Sequence, residues 1–276
     1  MGTADSTIHS WIRRSGNAGG VALEEARAAC ERLAREGIAS TVCYWDVYSD
    51  PAFISQANMG VLRTLSNSTS DFYLSVKAHA LKYDIALLKK LLEEARRLNA
   101  IVHFDATAPD TVDKTFDLIA QAYEIYPKIG CTLPGRWRRS VSDADRSVEM
   151  GLRVRVVKGE WSGPENDEID PREGFLNLIE RLAGRAMHVA VATHNPTLAR
   201  LSLRRLKDAD TPCELELLYG LPQQPLLKIA RAYGVRARMY VPYGHAGLPY
   251  RLKQAVRNPR MIGWFLHDLF RGRTQK

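Results

Sequence analysis

Cysteine is scarce in this chain, with four in 276 residues. Cys30, Cys43, Cys131 and Cys213 lie far apart and form no C-x-x-C, so neither a zinc site nor a disulfide framework is indicated. Reduced thiols in a cytoplasmic setting are the expectation. The seven histidines are dispersed and offer no clustered ligand set for a metal. Long apolar runs are also missing. No stretch approaches the roughly 18–20 apolar residues of a membrane span. Residues 1–19 have no apolar core and read as a polar leader, not a secretory signal. No G-x-G-x-x-G follows the first predicted strand, which removes the main signature of an open dinucleotide-binding sheet.

Acidic residues are outnumbered, 31 against 39 Lys and Arg, for a net charge of +8. The arginines scatter along predicted helices (Arg27, Arg32, Arg35, Arg96, Arg97, Arg204, Arg205) with no zinc finger or aromatic RNA-binding motif. The excess reads as a solvated basic surface, without nucleic acid as a partner. With 45% hydrophobic and 25% charged residues the chain is an ordinary globular one, not a disordered one.

What is present is a regular alternation. Strand-like runs occupy 39–45, 73–78, 101–105, 129–133, 153–158, 187–193, 213–218 and 236–241, several of them read as apolar on both sides. Helical patterns lie between them. Residues 84–98 carry Ile85, Leu88, Leu91, Leu92 and Ala95 at three- and four-residue spacing, with Asp84 as N-cap. Segments 110–125, 171–185 and 195–207 start on or beside proline, as a first helical turn tolerates. Strands recur about every 23–34 residues, the size of one βα unit. Eight such units predict an α/β fold, a single (β/α)8 barrel over 20–276 with C-terminal helices. The apolar segment 260–271 is expected to cover the barrel's outer surface, with contact to a second copy as the alternative.

In such a barrel the active site lies at the C-terminal ends of the strands. That shortens the list of polar candidates. Lys77, Asp105 and Lys158 end strand-like runs. Thr193, His194 and Asn195 follow another, and Tyr240 and Tyr243 sit at and just after the end of the last. Lys77, Arg155, Lys158 and Lys253 predict an electropositive mouth suited to a phosphate-bearing cofactor or a carboxylate.

Six ordered motifs resemble the proline dehydrogenase family. RVRVVKGEW (153–161) is similar to R-L-V-K-G-A-Y, VAVATHNP (189–196) to A-T-H-N/D and ELELLYGLP (214–222) to E-F-Q-M-L-Y-G. YVPYGHAGLPY (240–250) is similar to Y-V-P-Y-G with a tyrosine ten residues on. SVKAHAL (75–81) and VHFDA (102–106) match the family's lysine and aspartate strands. The resemblance implies a distorted (β/α)8 barrel holding FAD and oxidising a secondary amine by hydride transfer to flavin N5. By resemblance Arg155 lies beside N5, and Val157, Lys158, Gly159 and Trp161 line the flavin. Thr193, His194 and Asn195 hold its ribityl or adenosine part. Lys77, Asp105, Leu218, Tyr240 and Tyr250 surround the substrate.

The departures concentrate at the site. The family's Y-x-x-R-R clamp for the substrate carboxylate reads Tyr250-Arg251-Leu252-Lys253-Gln254 here, so a guanidinium fork becomes a point charge and an amide. Its supporting glutamate is Arg257. Pro134 replaces a flavin-contacting glutamine, and Glu216 a second one. A carboxylate there disfavours a reduced, anionic flavin unless it is protonated or paired with Lys or Arg. Ala106 and Glu160 replace a methionine and an alanine. The expectation is a small amine, imino acid or hydrazine-type substrate, oxidised at a C–N or N–N bond in a specialised biosynthetic pathway. A genuine proline dehydrogenase, or a flavin-free barrel that uses Lys77 or Lys158 as a Schiff-base lysine or only binds a ligand, are the alternatives. The electron acceptor is left open among oxygen, a quinone and a carrier.

Overall fold

The computed structural model describes residues 18–45, 49–66, 71–163 and 167–244, with side chains from Leu23 onward. Eight parallel strands close into a barrel in sequential order: β1 (Ala39–Tyr44), β2 (Phe72–Val76), β3 (Ile101–Phe104), β4 (Ile129–Pro134), β5 (Arg153–Val157), β6 (His188–Ala192), β7 (Cys213–Leu218) and β8 (Arg236–Tyr243). Closure is made by β1 pairing with β8, in register from Ala39↔Arg238 to Tyr44↔Tyr243. All eight predicted strands are present. Tyr240 lies inside β8 and Tyr243 is its last residue, where the sequence reading had the strand ending earlier.

A helix precedes each strand. They are α1 (Ala18–Arg35), α2 (Pro51–Ser66), α3 (Ile85–Arg97), α4 (Val112–Ile125), α5 (Ser140–Glu149), α6 (Pro171–Leu182), α7 (Pro196–Asp208) and α8 (Gln224–Ala232). Helix α1 starts two residues inside the stretch read as leader and packs on both β8 and β1, covering the seam where the barrel closes. The helix starts follow local chemistry. Asp84 accepts from the amides of Ala86 and Leu87, Asp170 from Arg172 and Glu173, and Asn195 from Thr197 and Leu198. Each such cap contributes about 1 kcal/mol. Residue 260–271 and the residues after Gly244 lie outside the described part. Among the described residues no helix is long and apolar enough to cross a membrane, and no His/Cys/Asp/Glu group is placed to hold a metal ion.

The strand faces correct one expectation. Most strands alternate between an apolar and a polar face, as period-two geometry allows, whereas β6 is apolar on both sides over Val189–Ala192. Outward residues, among them Val42, Leu74, Val102, Phe104, Leu133, Val154, Val156, Val191, Leu215 and Val241, are buried under the helices. They meet apolar helix faces such as Leu88, Leu91, Leu92 and Ala95 of α3. Each leucine so buried stabilises by about 1.5–3 kcal/mol. Many inward positions of the same strands are polar, among them Thr41, Ser75, His103, Arg155, Glu214, Glu216 and Arg238. Toward the N-terminal ends, Arg238 donates to Glu214 (2.9 Å) and to the Ser40 carbonyl (2.8 Å), and lies 3.5 Å from the Tyr73 ring centre. Arg153 donates to the Tyr73 hydroxyl. Small residues make room for these groups. A Cβ on Gly130 would come within 2.4 Å of His103 Nδ1.

Candidate active site

At the C-terminal end of the barrel the inward row becomes a single hydrogen-bonded cluster. Asp105, just after β3, is its hub. Its Oδ1 accepts from Ser75 Oγ (2.7 Å) and Arg155 Nη1 (2.7 Å), and its Oδ2 from Lys77 Nζ (3.1 Å) and Tyr240 Oη (2.6 Å). Arg155, from the middle of β5, also donates from Nε to Glu216 Oε2 on β7 (2.7 Å). A weaker bond runs from Nη1 to Thr132 Oγ1 (3.4 Å). Five predicted residues, Lys77, Asp105, Arg155, Glu216 and Tyr240, are thus brought together from five strands.

Of the four residues expected to make the mouth electropositive, Lys77 and Arg155 are each engaged by carboxylates, and with Asp105 and Glu216 these four charges cancel; Lys253 lies outside the described residues. Burial alone would raise the Asp105 carboxyl, but the Lys77 and Arg155 charges, with the Tyr240 and Ser75 hydrogen bonds, hold it below the usual carboxylate range. Burial would lower Lys77, but its neighbours Cys43 and Asp105 outweigh that and keep the ammonium protonated. Burial and the Asp105 charge push the Tyr240 phenol well up. At neutral pH Asp105 is therefore a carboxylate, Lys77 an ammonium and Tyr240 a neutral phenol.

Two atoms in it are unsatisfied. Arg155 Nη2 and Glu216 Oε1 are buried and have no hydrogen-bond partner among the described residues. A guanidinium and a carboxylate are built to pair through two parallel bonds. Here one bond is made, and a donor and an acceptor are left over on the same pair.

The other predicted residues that are described lie at or just after the strand ends. Val157 ends β5, and Lys158 and Gly159 follow it. The Val157 and Lys158 carbonyls accept from Gly135 and Arg136 (2.7 and 2.9 Å), extending the β4–β5 pairing past Pro134. Gly159 has φ +96°, and a Cβ there would meet Pro134 Cβ at 2.9 Å. Both the conformation and the space require glycine. Thr193, His194 and Asn195 make the turn from β6 into α7. Thr193 Oγ1 accepts from the Asn195 amide (3.1 Å), and His194 Nε2 accepts from the Leu218 amide at the end of β7 (2.8 Å). An accepting Nε2 leaves the proton on Nδ1, which meets the Pro222 carbonyl at 3.3 Å. Trp161 is 57% exposed, although its carbonyl is held by Trp137 Nε1 (2.9 Å). Tyr250, Lys253 and Gln254 lie outside the described residues.

Sequence reasoning missed Trp45 and Cys43. Trp45 Nε1 donates to Tyr240 Oη (3.0 Å), and Lys77 Nζ lies 4.9 Å from the Trp45 ring centre. Cys43 Sγ is 3.3 Å from Lys77 Nζ and 3.5 Å from Asp105 Oδ2. Burial pushes its thiol up to about 11, so it sits in the cluster as a neutral, inert group. The available signal was parity: Thr41, Cys43 and Trp45 share the inward face of β1.

No family model matches the chain. Individual relatives do. It is 21% identical over 269 residues to "Proline dehydrogenase 1" of Bacillus subtilis subsp. natto, covering 91% of this chain and 89% of that one. It is 22% identical over 278 residues to "Proline dehydrogenase" of Deinococcus radiodurans, covering 92% and 88%. Among solved structures, proline utilization A (PutA) of Bdellovibrio bacteriovorus superposes with a TM-score of 0.71 at 17% identity over 81% of this chain. PutA of Corynebacterium freiburgense superposes at 0.67 and 14% identity over 97%. The chain spans only 30% and 35% of those two PutA chains, and the likeness establishes the shared barrel. Six ordered motifs, matches along nearly the full length of curated proline dehydrogenases and the common closed barrel converge: the chain is similar to the proline dehydrogenases in motif order, length and barrel architecture.

Proposed function

We propose that the protein is an FAD-dependent oxidoreductase that dehydrogenates a small secondary amine of the proline type. The observation that carries this reading is the buried Arg155–Asp105–Lys77 network at the C-terminal end of the barrel, on the residues the family motifs single out. Bound FAD supplies the electron-accepting ring on which the oxidation depends. The residues fit such a group. Arg155 Nη2 and Glu216 Oε1 are an unused buried donor and acceptor, suited to the edge of a polar heteroaromatic ring. The tight backbone at Gly159 leaves no side chain between the end of β5 and a ligand lying on it. Thr193, His194 and Asn195 hold the β6–α7 turn in one shape, although the Asn195 carboxamide oxygen is already committed to capping α7.

The other roles follow from the charges. Lys77 and Asp105 fix one edge of the substrate space, with Tyr240 and Trp45 as its aromatic wall. Lys77, held as an ammonium, is a fixed charge and not a nucleophile, which removes support from a Schiff-base mechanism at that lysine. The substrate nitrogen is best received as a neutral amine, because the charges of Asp105 and Glu216 are already balanced by Lys77 and Arg155. Lys253 and Gln254, in place of an arginine pair, favour a second reading within the same chemistry. The substrate would then be an amine, imino acid or hydrazine-type compound whose anionic group is small or absent, drawn from a specialised biosynthetic route. Binding tests the base of both readings. Purified protein titrated with FAD is expected to bind it with quenching of flavin fluorescence, and Arg155→Met to weaken that binding. Absence of FAD binding by the wild-type chain would overturn the proposal.

A further inference from the structure

Glu216 is an unusual neighbour for a residue meant to present positive charge. Its side chain is 2% exposed and that of Arg155 4%, so water does little to screen either. Arg155 already meets one carboxylate, Asp105, which Lys77 also neutralises. Arg155 and Lys77 together balance Asp105 and Glu216. Were residue 216 an amide, the same geometry would leave one net positive charge buried beside whatever Arg155 Nη2 contacts. The single Nε–Oε2 bond orients the guanidinium while leaving Nη2 available. An amide oxygen would serve that orienting function equally well, so orientation alone does not account for a buried carboxylate, which is costly to desolvate. What the carboxylate adds is its charge.

We infer that Glu216 is a charge-setting residue: paired to Arg155, it cancels the positive field at the ligand and so lowers the reduction potential of the bound flavin. Electrostatic groups fixed in a dry site act strongly on charge that develops there. A reduced flavin gains negative charge, so a neutral Arg155–Glu216 pair stabilises it less than a bare guanidinium. The consequence is an enzyme whose reduced flavin is a stronger reductant, giving up electrons readily and accepting them only from a substrate that is itself easily oxidised. The inference rests on the reading of Arg155 as a flavin contact.

The test is the midpoint potential of the FAD-loaded protein, measured by spectroelectrochemistry for wild type, Glu216→Gln, Glu216→Ser and Glu216→Asp. The two neutral variants are expected to favour the reduced flavin at least tenfold, a rise of about 30 mV or more for a two-electron couple. Glu216→Asp, which keeps the charge, is expected to stay near wild type. Neutral variants that bind FAD with an unchanged potential overturn the inference and leave the proposed function standing. A wild-type protein that binds no FAD overturns both. Neutral variants that fold but lose FAD, or that fail to fold, would make Glu216 a binding or scaffold residue and also overturn the inference.

Discussion

Tyr240 and Asp105 meet across the mouth of the barrel, hydroxyl to carboxylate at 2.6 Å, although β8 and β3 are separated by two strands. The contact joins opposite parts of the wall, and Trp45 adds its indole N–H to the same hydroxyl. Tyr240→Phe keeps the ring but removes the bond to a buried carboxylate and leaves the indole without its acceptor. A loss of about 1–3 kcal/mol in stability is expected, read by chemical denaturation, with a shift in tryptophan emission. Unchanged emission and stability would mean that the two residues do not meet as described.

Arg155→Met leaves Asp105 and Glu216 buried with one fewer cation between them. Breaking a buried ion pair from one side costs about 3–5 kcal/mol, so the denaturation midpoint should fall sharply. In protein that still folds, flavin reduction measured anaerobically by stopped flow should slow more than substrate binding weakens. Wild-type reduction kinetics would remove Arg155 from the flavin.

The pH dependence of stability has a definite sign. Burial, with the nearby Arg155 charge, holds His103 well below the ordinary histidine value, and His188 is lowered to about 3 by burial and the surrounding arginines. Both are neutral in the fold, while the unfolded chain binds their protons below about pH 6.5. Stability is therefore fully present above that pH and lost as pH falls below it, by up to about 1.4 kcal/mol per pH unit for a fully buried imidazole. His103→Gln should have a shallower decline in Tm than wild type between pH 7.5 and 5.5. Parallel curves would contradict the assignment.

Gly159→Ala places a Cβ against Pro134 in a left-handed conformation. A cost of about 1–3 kcal/mol is expected. Lys158 and Trp161 should be displaced with the loop, visible as weaker FAD binding at little cost to the barrel's circular dichroism. Binding equal to wild type would exclude this loop from the cofactor site.

Much of the barrel was legible in the sequence because its signals are local. Asp84, Asp170 and Asn195 announce helix starts through their own side chains, and β-branched runs at regular spacing announce strands. The inward charges were legible too, as alternation in R-V-R-V-V and E-L-E-L-L, although the runs read as apolar on both faces. What could not be read is which of these charges meet. Arg155 and Glu216 are 61 residues apart, and their contact depends on strand order and register. The positive charges of Lys77 and Arg155 are balanced for that reason: a sequence lists lysines and arginines but not the carboxylates folded against them. Cys43 and Trp45 were overlooked because β1 carries no charge to mark its inward face.

The most direct test of the account is the visible spectrum of the FAD-loaded protein before and after anaerobic addition of proline, with small secondary amines and hydrazines added in parallel. The account predicts flavin bands that bleach with a member of this set, proline being the first expected to act. A flavin that stays oxidised with every one of them, in protein shown to be folded and loaded, would contradict it.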